Sequence, residues 1–289
     1  MKILVIGATG MLGYSLFSNL SENKSFDVYG TVRTIKGKEH FYKKSEEKLF
    51  LNVDIENIDS IAKVIEDLKP DYVLNCIGLI KQYDSAKIPV AAIKVNSLLP
   101  HLLASICSDN YAKLIHFSTD CVFSGVKGNY AESDTPDATD IYGRSKLLGE
   151  VDYKPHLTLR TSIIGHELNS NVSLIDWFLS QGKETKGFSK AIFSGLPTCY
   201  VAKVLVENIF TNPNLTGLYQ LSVDPLDKYT LLRKVAKVYS KEITIDESDE
   251  LEIDRSLDSS QLQTASNYSP LNWDELINLM HSDYLKYYK

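Results

Sequence analysis

The sequence predicts an α/β fold, a doubly wound parallel sheet with a smaller α/β lobe at the C-terminal end. Short apolar segments alternate with helical patterns through the first half of the chain, which is typical of parallel strands joined by right-handed crossovers. After about residue 166, short extended pieces and amphipathic helices replace this alternation. The chain has 289 residues, 44% of them apolar, and is therefore long and apolar enough to bury a full core.

The first strand and the first helix enclose a glycine-rich turn. The apolar run 2–7 predicts the strand, and Gly7, Gly10 and Gly13 lie in the turn and the helix start that follow it. Backbone N–H groups at such a turn can hold a diphosphate, so a nucleotide ligand is the first functional hypothesis. The spacing differs from Gly-x-Gly-x-x-Gly, and three glycines could also serve only to permit positive φ in a tight turn.

The remaining elements follow from the apolar pattern. Strands are predicted at 27–32, 48–55, 71–78, 112–118, 157–164 and 217–222, with short extended pieces within 187–197. Helices are predicted at 59–68, from Pro89 toward Cys107 with Pro100 as a kink or a second start, and at 174–179, 200–210, 230–239 and 273–284. We assign residues 1–165 to a nucleotide-binding domain and residues 166–289 to a smaller substrate-binding lobe, and we allow the two to share strands.

Composition argues against several classes of protein. The net charge of -6 comes from 37 acidic and 31 basic side chains that are mixed along the chain, which disfavours nucleic acid as a partner. The cysteines Cys76, Cys107, Cys121 and Cys199 form no Cys-x-x-Cys pair, so we predict reduced thiols and no metal site. We expect neither a signal peptide nor a membrane span, and hence a cytoplasmic protein.

Tyr142 and Lys146 form a candidate pair for proton transfer. They lie four residues apart and therefore on one face of a helix. A nearby ammonium lowers the pKa of a tyrosine from its usual value of about 10. Because the chain has 17 tyrosines, an incidental pair on an exposed helix is the alternative. A predicted strand that ends in Ser118, Thr119 and Asp120 places a hydroxyl shortly upstream of this pair.

Together these motifs resemble the extended short-chain dehydrogenase/reductase family, and within it the dTDP-4-dehydrorhamnose reductase, or RmlD-like, group. The resemblance covers nearly the whole chain and rests on GATGMLG at 7–13, STDCVFSG at 118–125 and YGRSKLLGE at 142–150. It implies a Rossmann-like domain and the NADPH-dependent reduction of a keto group, at C4, of a nucleotide-activated deoxysugar for polysaccharide precursors. It also leaves a homodimer open.

The resemblance implies that Thr119, Tyr142 and Lys146 are catalytic. Tyr142 would donate a proton to the carbonyl oxygen, Lys146 would lower the pKa of Tyr142 and hold the nicotinamide ribose, and Thr119 would hydrogen-bond the substrate oxygen. Cys121 stands where the rhamnose-pathway enzymes are expected to have a tyrosine, so the sugar is left open. We interpret Cys121 as a small residue at a strand end rather than as a nucleophile, because no histidine lies near it in sequence.

The choice of cofactor is predicted from the end of the second strand. An NAD enzyme offers a carboxylate there, whereas this chain has Arg33, which suits the 2′-phosphate of NADPH unless it only faces solvent. Asp54 and Asn75 could bind the cofactor or could satisfy backbone groups at strand ends. The full set of cofactor-binding residues implied by the resemblance is Gly7, Thr9, Gly10, Met11, Leu12, Gly13, Arg33, Asp54, Ile55, Asn75, Cys76, Ile77, Gly78, Tyr142 and Lys146.

The substrate side is predicted from three segments. Phe193 precedes Thr198, a candidate helix N-cap, in a segment that resembles the sugar-pocket segment of the group. Arg255 could bind a diphosphate, or could form a surface salt bridge with neighbouring acids. The predicted substrate-binding residues are Thr119, Asp120, Cys121, Phe193, Thr198 and Arg255.

Two other functions remain as alternatives. One is a sugar-nucleotide epimerase or dehydratase that keeps a tightly held NAD, which Arg33 disfavours. The other is a non-catalytic NADP-binding regulatory subunit, as in the RmlD-like branch that partners methionine adenosyltransferase. Tyr142 and Lys146 argue against that second alternative.

Overall fold

The computed structural model describes residues 1–80 and 88–289 and has the predicted α/β fold. Its largest sheet contains seven strands, and all of their pairings are parallel. The strands in chain order are Lys2–Ile6 (β1), Asp27–Thr31 (β2), Leu49–Phe50 (β3), Tyr72–Asn75 (β4), Lys113–Thr119 (β5), Leu157–Thr161 (β6), Ile163–Ile164 (β7), Glu184–Phe188 (β8), Ala191–Phe193 (β9), Leu196–Pro197 (β10), Gly217–Gln220 (β11), Leu226–Asp227 (β12), Thr244–Ser248 (β13) and Ile253–Asp254 (β14).

Helices connect these strands. They are Met11–Ser21 (α1), Glu39–Tyr42 (α2), Ile58–Leu68 (α3), Pro89–Ala92 (α4), Leu99–Asp109 (α5), Ile141–Leu148 (α6), Leu174–Ser180 (α7), Thr198–Val204 (α8), Lys228–Val238 (α9), Ser260–Ser266 (α10) and Trp273–Tyr287 (α11). The π-helical turns Ile93–Leu98 and Leu205–Ile209 follow α4 and α8. The sequence pattern predicts most of these helices to within a few residues, but it does not predict α2 or α10.

The order of strands in the large sheet is β3-β2-β1-β4-β5-β6-β11. The order reverses between β1 and β4, and in open α/β sheets a crevice for ligands forms at the carboxyl ends of the strands beside such a reversal. One buried cluster covers one face with side chains of α1, α8 and α11, and a second covers the other face with α3 and α5. β4, β5 and β6 are accordingly buried along their whole length.

The third strand of the large sheet is much shorter than predicted. The segment 48–55 pairs only over Leu49–Phe50, and Asn52 just beyond it has a φ of +60°, which ends the extended conformation. β11, from the C-terminal part of the chain, pairs with β6 in the large sheet. The two predicted domains therefore share a sheet, while the division at residue 165 stays a prediction.

Residues 89–109 form one continuous helical segment in which Pro100 makes no break. A proline lacks an N–H and leaves the carbonyl four residues earlier without its helical donor. Here the π-helical turn Ile93–Leu98 lies just before Pro100, and its altered hydrogen-bond spacing accommodates the missing donor without a break in the helix.

The segment Pro89–Asp109 is also long and apolar enough to cross a membrane, by length and composition alone, although the sequence pattern led us to expect no span. One face of it, with Leu99, Leu103, Ala104 and Cys107, packs into the second core cluster. A core helix passes the same test, so the finding is weak evidence for a membrane.

Candidate active site

The glycine turn joins β1 to α1 at the reversal of strand order. Gly13 packs directly against the turn, since a Cβ there would lie 2.1 Å from the Gly7 carbonyl oxygen. Gly10 is the N-cap of α1 and has no side chain that could bind the N–H groups of the first helical turn. These amides are therefore directed at the crevice, where an anion would be stabilised by them and by the helix dipole.

Helix α6 positions the candidate catalytic pair. The side chain of Asp140 caps it by accepting a hydrogen bond from the Gly143 amide at 2.8 Å. A Cβ at Gly143 would lie 2.2 Å from the Cys121 carbonyl oxygen, so only glycine allows α6 to approach the turn after β5 so closely. This contact explains why glycine follows Tyr142 in the sequence.

Thr119 lies at the end of β5, beside α6. Its hydroxyl lies close enough to the phenol of Tyr142 to lower the pKa of that phenol, and it donates a hydrogen bond to Asp120 Oδ1 at 3.1 Å. The Cys121 amide donates a hydrogen bond to the same hydroxyl oxygen, also at 3.1 Å. The structure thus brings together a threonine hydroxyl, a phenol and a carboxyl group.

Lys146 lies one helical turn after Tyr142 and is almost fully buried. Its Nζ donates a hydrogen bond to the Phe117 carbonyl oxygen at 2.6 Å. Burial lowers the pKa of Lys146 to about 8, and the nearby Glu150 opposes this shift. A Cβ built on Gly78 would lie 4.0 Å from Lys146 Nζ and 3.5 Å from Asn96 Oδ1, so the turn after β4 adjoins α6.

The pKa of Tyr142 differs in direction from the sequence-based expectation. Burial raises it, the thiol of Cys121 raises it further, and the hydrogen bond with Thr119 lowers it. The sequence predicts that Lys146 lowers this pKa, but here the Lys146 ammonium binds the Phe117 carbonyl and desolvation of the phenol dominates. The phenol is therefore protonated at neutral pH.

Two predicted cofactor-binding residues have their side chains engaged within the protein. Asn75 is almost fully buried, with Nδ2 3.1 Å from His116 Nδ1, and its Oδ1 accepts a hydrogen bond from the Ile77 amide. Asp54 Oδ1 accepts a hydrogen bond from the Glu56 amide. Both thus stabilise turns at strand ends, which is the structural alternative that the sequence left open.

Arg33 is exposed at the end of β2, as a residue that meets a 2′-phosphate must be. The sequence analysis missed a second cation beside it. Burial and the charge of Arg33 both lower the pKa of Lys38, so the two side chains lie within electrostatic range of each other. The basic character of the segment 33–38 could have indicated this second cation.

Among the predicted substrate-binding residues, Phe193 and Thr198 are buried. Phe193 packs against Trp273 with ring centroids 5.5 Å apart, and Thr198 packs beside Gly165. The N-cap of α8 is Pro197, so Thr198 is not the cap that the pattern predicts. Phe193, at the end of β9, belongs to the hydrophobic core, and Thr198, the first residue of α8, is only 2% exposed, so the structure buries both side chains.

Arg255 approaches the active site from the C-terminal part of the chain. Its guanidinium donates to the Phe123 carbonyl at 2.9 Å, to the Ser124 carbonyl at 3.4 Å and to Cys121 Sγ at 3.5 Å. Among the described residues its hydrogen-bond partners are thus carbonyls and a thiol, not the surface acids of the alternative interpretation. Burial is the main reason why the pKa of Cys121 is raised to about 12, so Cys121 is present as a thiol.

A buried ion pair below the site was missed by the sequence analysis. Arg160 on β6 and Glu150 after α6 form two hydrogen bonds of 2.7 Å, with both side chains 6% exposed. The Ser118 hydroxyl donates to the same carboxylate at 2.7 Å. The pair fastens the end of α6 to β5 and β6. Within residues 1–80 and 88–289, no group of three or more His, Cys, Asp and Glu side chains could hold a metal ion.

Curated relatives match this chain over different lengths. A dTDP-4-dehydrorhamnose reductase from Burkholderia thailandensis is 34% identical over 153 residues, which cover 52% of this chain and 45% of that protein. At this identity the chain spans about half the length of the curated relatives that it matches. Methionine adenosyltransferase 2 subunit beta from Danio rerio is 24% identical over 253 residues, which cover 83% of this chain and 74% of that protein.

A solved structure and a family model agree with the fold and the motifs. The dTDP-4-dehydrorhamnose reductase from Bacillus anthracis, in complex with NADP, superimposes with a TM-score of 0.80, covering 98% of this chain and 99% of that one. The two sequences are 19% identical, so this likeness concerns the fold. The model of the RmlD substrate binding domain matches residues 1–223, which is well over half of the chain. The chain therefore belongs to the RmlD substrate binding domain family.

Proposed function

We propose that this protein is an NADPH-dependent reductase that acts on the C4 keto group of a nucleotide-activated deoxysugar in the supply of polysaccharide precursors. The observation that carries the proposal is the placement of the Tyr142 phenol beside the Thr119 hydroxyl, with buried Lys146 one helical turn away. The match to a dTDP-4-dehydrorhamnose reductase supports the substrate class.

The residues at the carboxyl edge of the sheet suit NADPH. The uncapped amides that follow Gly10 and the close packing of Gly13 suit a diphosphate, and Arg33 with Lys38 offers two cations to a 2′-phosphate. Lys146 lies beside Gly78, where it could hold a ribose hydroxyl. The cofactor, when bound, supplies the hydride.

The protein's own groups supply the proton. Reduction of a ketone needs an acid at the carbonyl oxygen, and burial keeps Tyr142 in the protonated form that can act as one. Thr119, which lies beside the same phenol, would give the substrate oxygen a second polar contact and fix its orientation. The Lys146 ammonium would stabilise the phenolate left behind.

The test is NADPH oxidation with dTDP-, UDP-, GDP- and CDP-linked 4-keto-6-deoxysugars. We expect turnover with one nucleotide, and we expect Tyr142→Phe to lower kcat by about 100-fold or more while NADPH binding is retained. Tyr111→Phe is the matched control, because Tyr111 is 98% exposed. Full activity of Tyr142→Phe would refute the proposed role.

A second function is favoured by one observation, the long match to methionine adenosyltransferase 2 subunit beta. A non-catalytic subunit would bind NADP and a partner enzyme without consuming NADPH. Tight NADP binding with no turnover on any of the four nucleotide classes would therefore support this alternative against the reductase.

We also propose that the protein is a homodimer. Five exposed large apolar side chains lie on the segment 89–109 and at the C-terminal end of α6, which adjoins that segment because His101 Nε2 lies 2.9 Å from the Leu148 carbonyl oxygen. Burial of such a patch against a second copy would remove it from water. We call it the apolar patch, and it consists of Val90, Ile93, Leu98, Leu102 and Leu148.

A further inference from the structure

The loop that carries Arg33 begins and ends at the glycine turn. At its start, where β2 ends, the Thr31 carbonyl oxygen accepts a hydrogen bond from the Ala8 amide at 3.0 Å. At its end, the Tyr42 hydroxyl donates a hydrogen bond to the Ala8 carbonyl oxygen at 2.8 Å. Residues 32–42 therefore form a closed loop beside the turn that suits the diphosphate. In an open α/β sheet this position faces the 2′ position of the adenosine ribose.

Two cations of this loop are available to a phosphate, since Arg33 is exposed and Lys38 is half-buried. Glu167 lies within electrostatic range of Lys38. Its carboxylate, however, accepts hydrogen bonds from the Val172 and Ser173 amides at 2.8 and 3.0 Å. The 2′-phosphate of NADP would therefore meet cations here, whereas NAD has only a hydroxyl at the same position. The binding of NADP, and not that of NAD, should thus depend on how the loop is held.

The tip of the loop is held by a residue from the C-terminal half of the chain. The side-chain amide of Asn169 donates a hydrogen bond to the Gly37 carbonyl oxygen at 2.8 Å. Next to these two residues, Leu168 and Ile35 belong to the same hydrophobic cluster. In the described part of the chain, a Cβ built on Gly37 would meet no atom within 4 Å, so the tip is otherwise open. The contact with Asn169 therefore restrains a part of the loop that is exposed on its other sides.

Asn169 belongs to a segment that is itself fixed. The Glu167 amide donates a hydrogen bond to Asp176 Oδ2 at 2.6 Å, and His166 Nδ1 lies 2.6 Å from Asp176 Oδ1. Together with the two amide hydrogen bonds that the Glu167 carboxylate accepts, these contacts fasten the segment 166–173 to the first turn of α7. A fixed segment can restrain the loop, whereas a segment that moved with the loop could not.

We propose that Asn169 is a positioning residue for the selection of NADP over NAD. By holding the Gly37 carbonyl, it keeps the loop 32–42 in the conformation that presents Arg33 to the 2′-phosphate. The cofactor then does not have to order the loop when it binds, and this saving strengthens the binding of NADP. The proposal rests on the proposed NADPH-dependent function, but it concerns the binding of the cofactor and not the chemical step.

The first test measures the binding of NADP and of NAD, without sugar substrate, by isothermal titration calorimetry. We expect Asn169→Ala to raise the Kd of NADP by about 3- to 10-fold, the effect of one hydrogen bond, and to leave the Kd of NAD within about 2-fold. Asn171→Ala, at an exposed asparagine of the same segment, is the matched control and should change neither Kd. An unchanged Kd of NADP, or equal losses for both cofactors, would overturn the proposal.

A double-mutant cycle tests whether Asn169 acts through Arg33. In the Arg33→Met background the loop no longer presents this cation, so we expect Asn169→Ala to raise the Kd of NADP by less than about 2-fold. The same loss in both backgrounds would show that Asn169 acts independently of Arg33, against the proposal.

Limited digestion with trypsin examines the loop without any ligand, because its tip contains Lys36 and Lys38. Asn169→Ala should be cut within residues 33–38 about 3- to 10-fold faster than the wild type, since cleavage follows the population of the opened loop. Equal cleavage rates would contradict the restraint. If the wild type selects NADP but reduces no ketosugar, the reductase function fails and the role of Asn169 is retained. If the wild type binds NAD as tightly as NADP, the role of Asn169 fails.

Discussion

At the scale of single residues, two glycines determine how closely the parts of the site approach one another. Gly13 brings α1 against the Gly7 carbonyl, and Gly143 brings α6 against the Cys121 carbonyl, where any Cβ would lie closer than 2.5 Å to an oxygen. Backbone carbonyls cannot move aside as the end of a flexible side chain can. The sequence indicates that these glycines matter, but only the structure shows which carbonyl oxygens they approach.

Gly13→Ala should destabilise the protein because its Cβ would collide with the Gly7 carbonyl at 2.1 Å. We expect a loss of about 1–3 kcal/mol in the free energy of unfolding, measured by urea denaturation. Gly10→Ala is the control, because its Cβ would lie 3.5 Å from the same oxygen, an ordinary contact. Equal stability of the two variants would contradict the packing argument.

The buried ammonium of Lys146 should make stability depend on pH. Its pKa of about 8 in the folded protein lies below the ordinary lysine value of 10.5, so between these pH values the unfolded chain binds more protons and stability rises with pH. Below about pH 8 the charged lysine costs up to about 3 kcal/mol. Lys146→Met should remove this contribution.

Urea denaturation between pH 7 and pH 10, with steps of about one pH unit, would measure this effect. The difference in unfolding free energy between Lys146→Met and the wild type should change by up to about 3 kcal/mol in favour of the wild type as pH rises. Lys63→Met, at an exposed site on α3, should show no such trend. A pH-independent difference for Lys146→Met would refute the buried-charge explanation.

At the scale of elements, the ion pair between Glu150 and Arg160 holds the end of α6 to the sheet. Its two side chains come from segments joined by a loop, and the Ser118 hydroxyl from β5 completes the contact. Local patterns predict α6, β5 and β6 separately. They do not predict the ion pair, because its contribution to stability depends on its burial, and this burial exists only once the elements have packed together.

Loss of one partner of this pair should be costly. Glu150→Met leaves the Arg160 guanidinium buried and uncompensated, and we expect a loss of about 3–5 kcal/mol. The double variant Glu150→Met/Arg160→Met should lose less than the sum of the two single losses, because it buries no lone charge. A double-mutant cycle by urea denaturation measures the coupling, and strictly additive losses would show that the pair does not interact.

At the scale of the whole molecule, the apolar patch is the surface feature that the fold leaves without a partner among the described residues. Its members come from the segment 89–109 and from the end of α6, and they are 38% to 65% exposed. The sequence shows them only as apolar residues among many. Their exposure follows from the opposite face of the helix, which packs into the core.

Leu148→Lys should therefore weaken self-association. A charge placed within an apolar interface must lose its water, so the wild type should elute as a dimer and the variant as a monomer in size-exclusion chromatography with light scattering. Leu251→Lys, at an exposed leucine outside the patch, is the control and should remain dimeric. A monomeric wild type would refute the homodimer.

The sequence by itself determined the α/β class, the glycine turn, the succession of the main strands along the chain and the helical spacing of Tyr142 and Lys146. These features follow from local periodicity and from the few residues that a tight turn accepts. Only the tertiary structure decided that Phe193 and Thr198 lie in the core and that burial raises the pKa of Tyr142. Solvent exclusion and contacts between distant segments produce these properties, and neither exists before the elements have packed together.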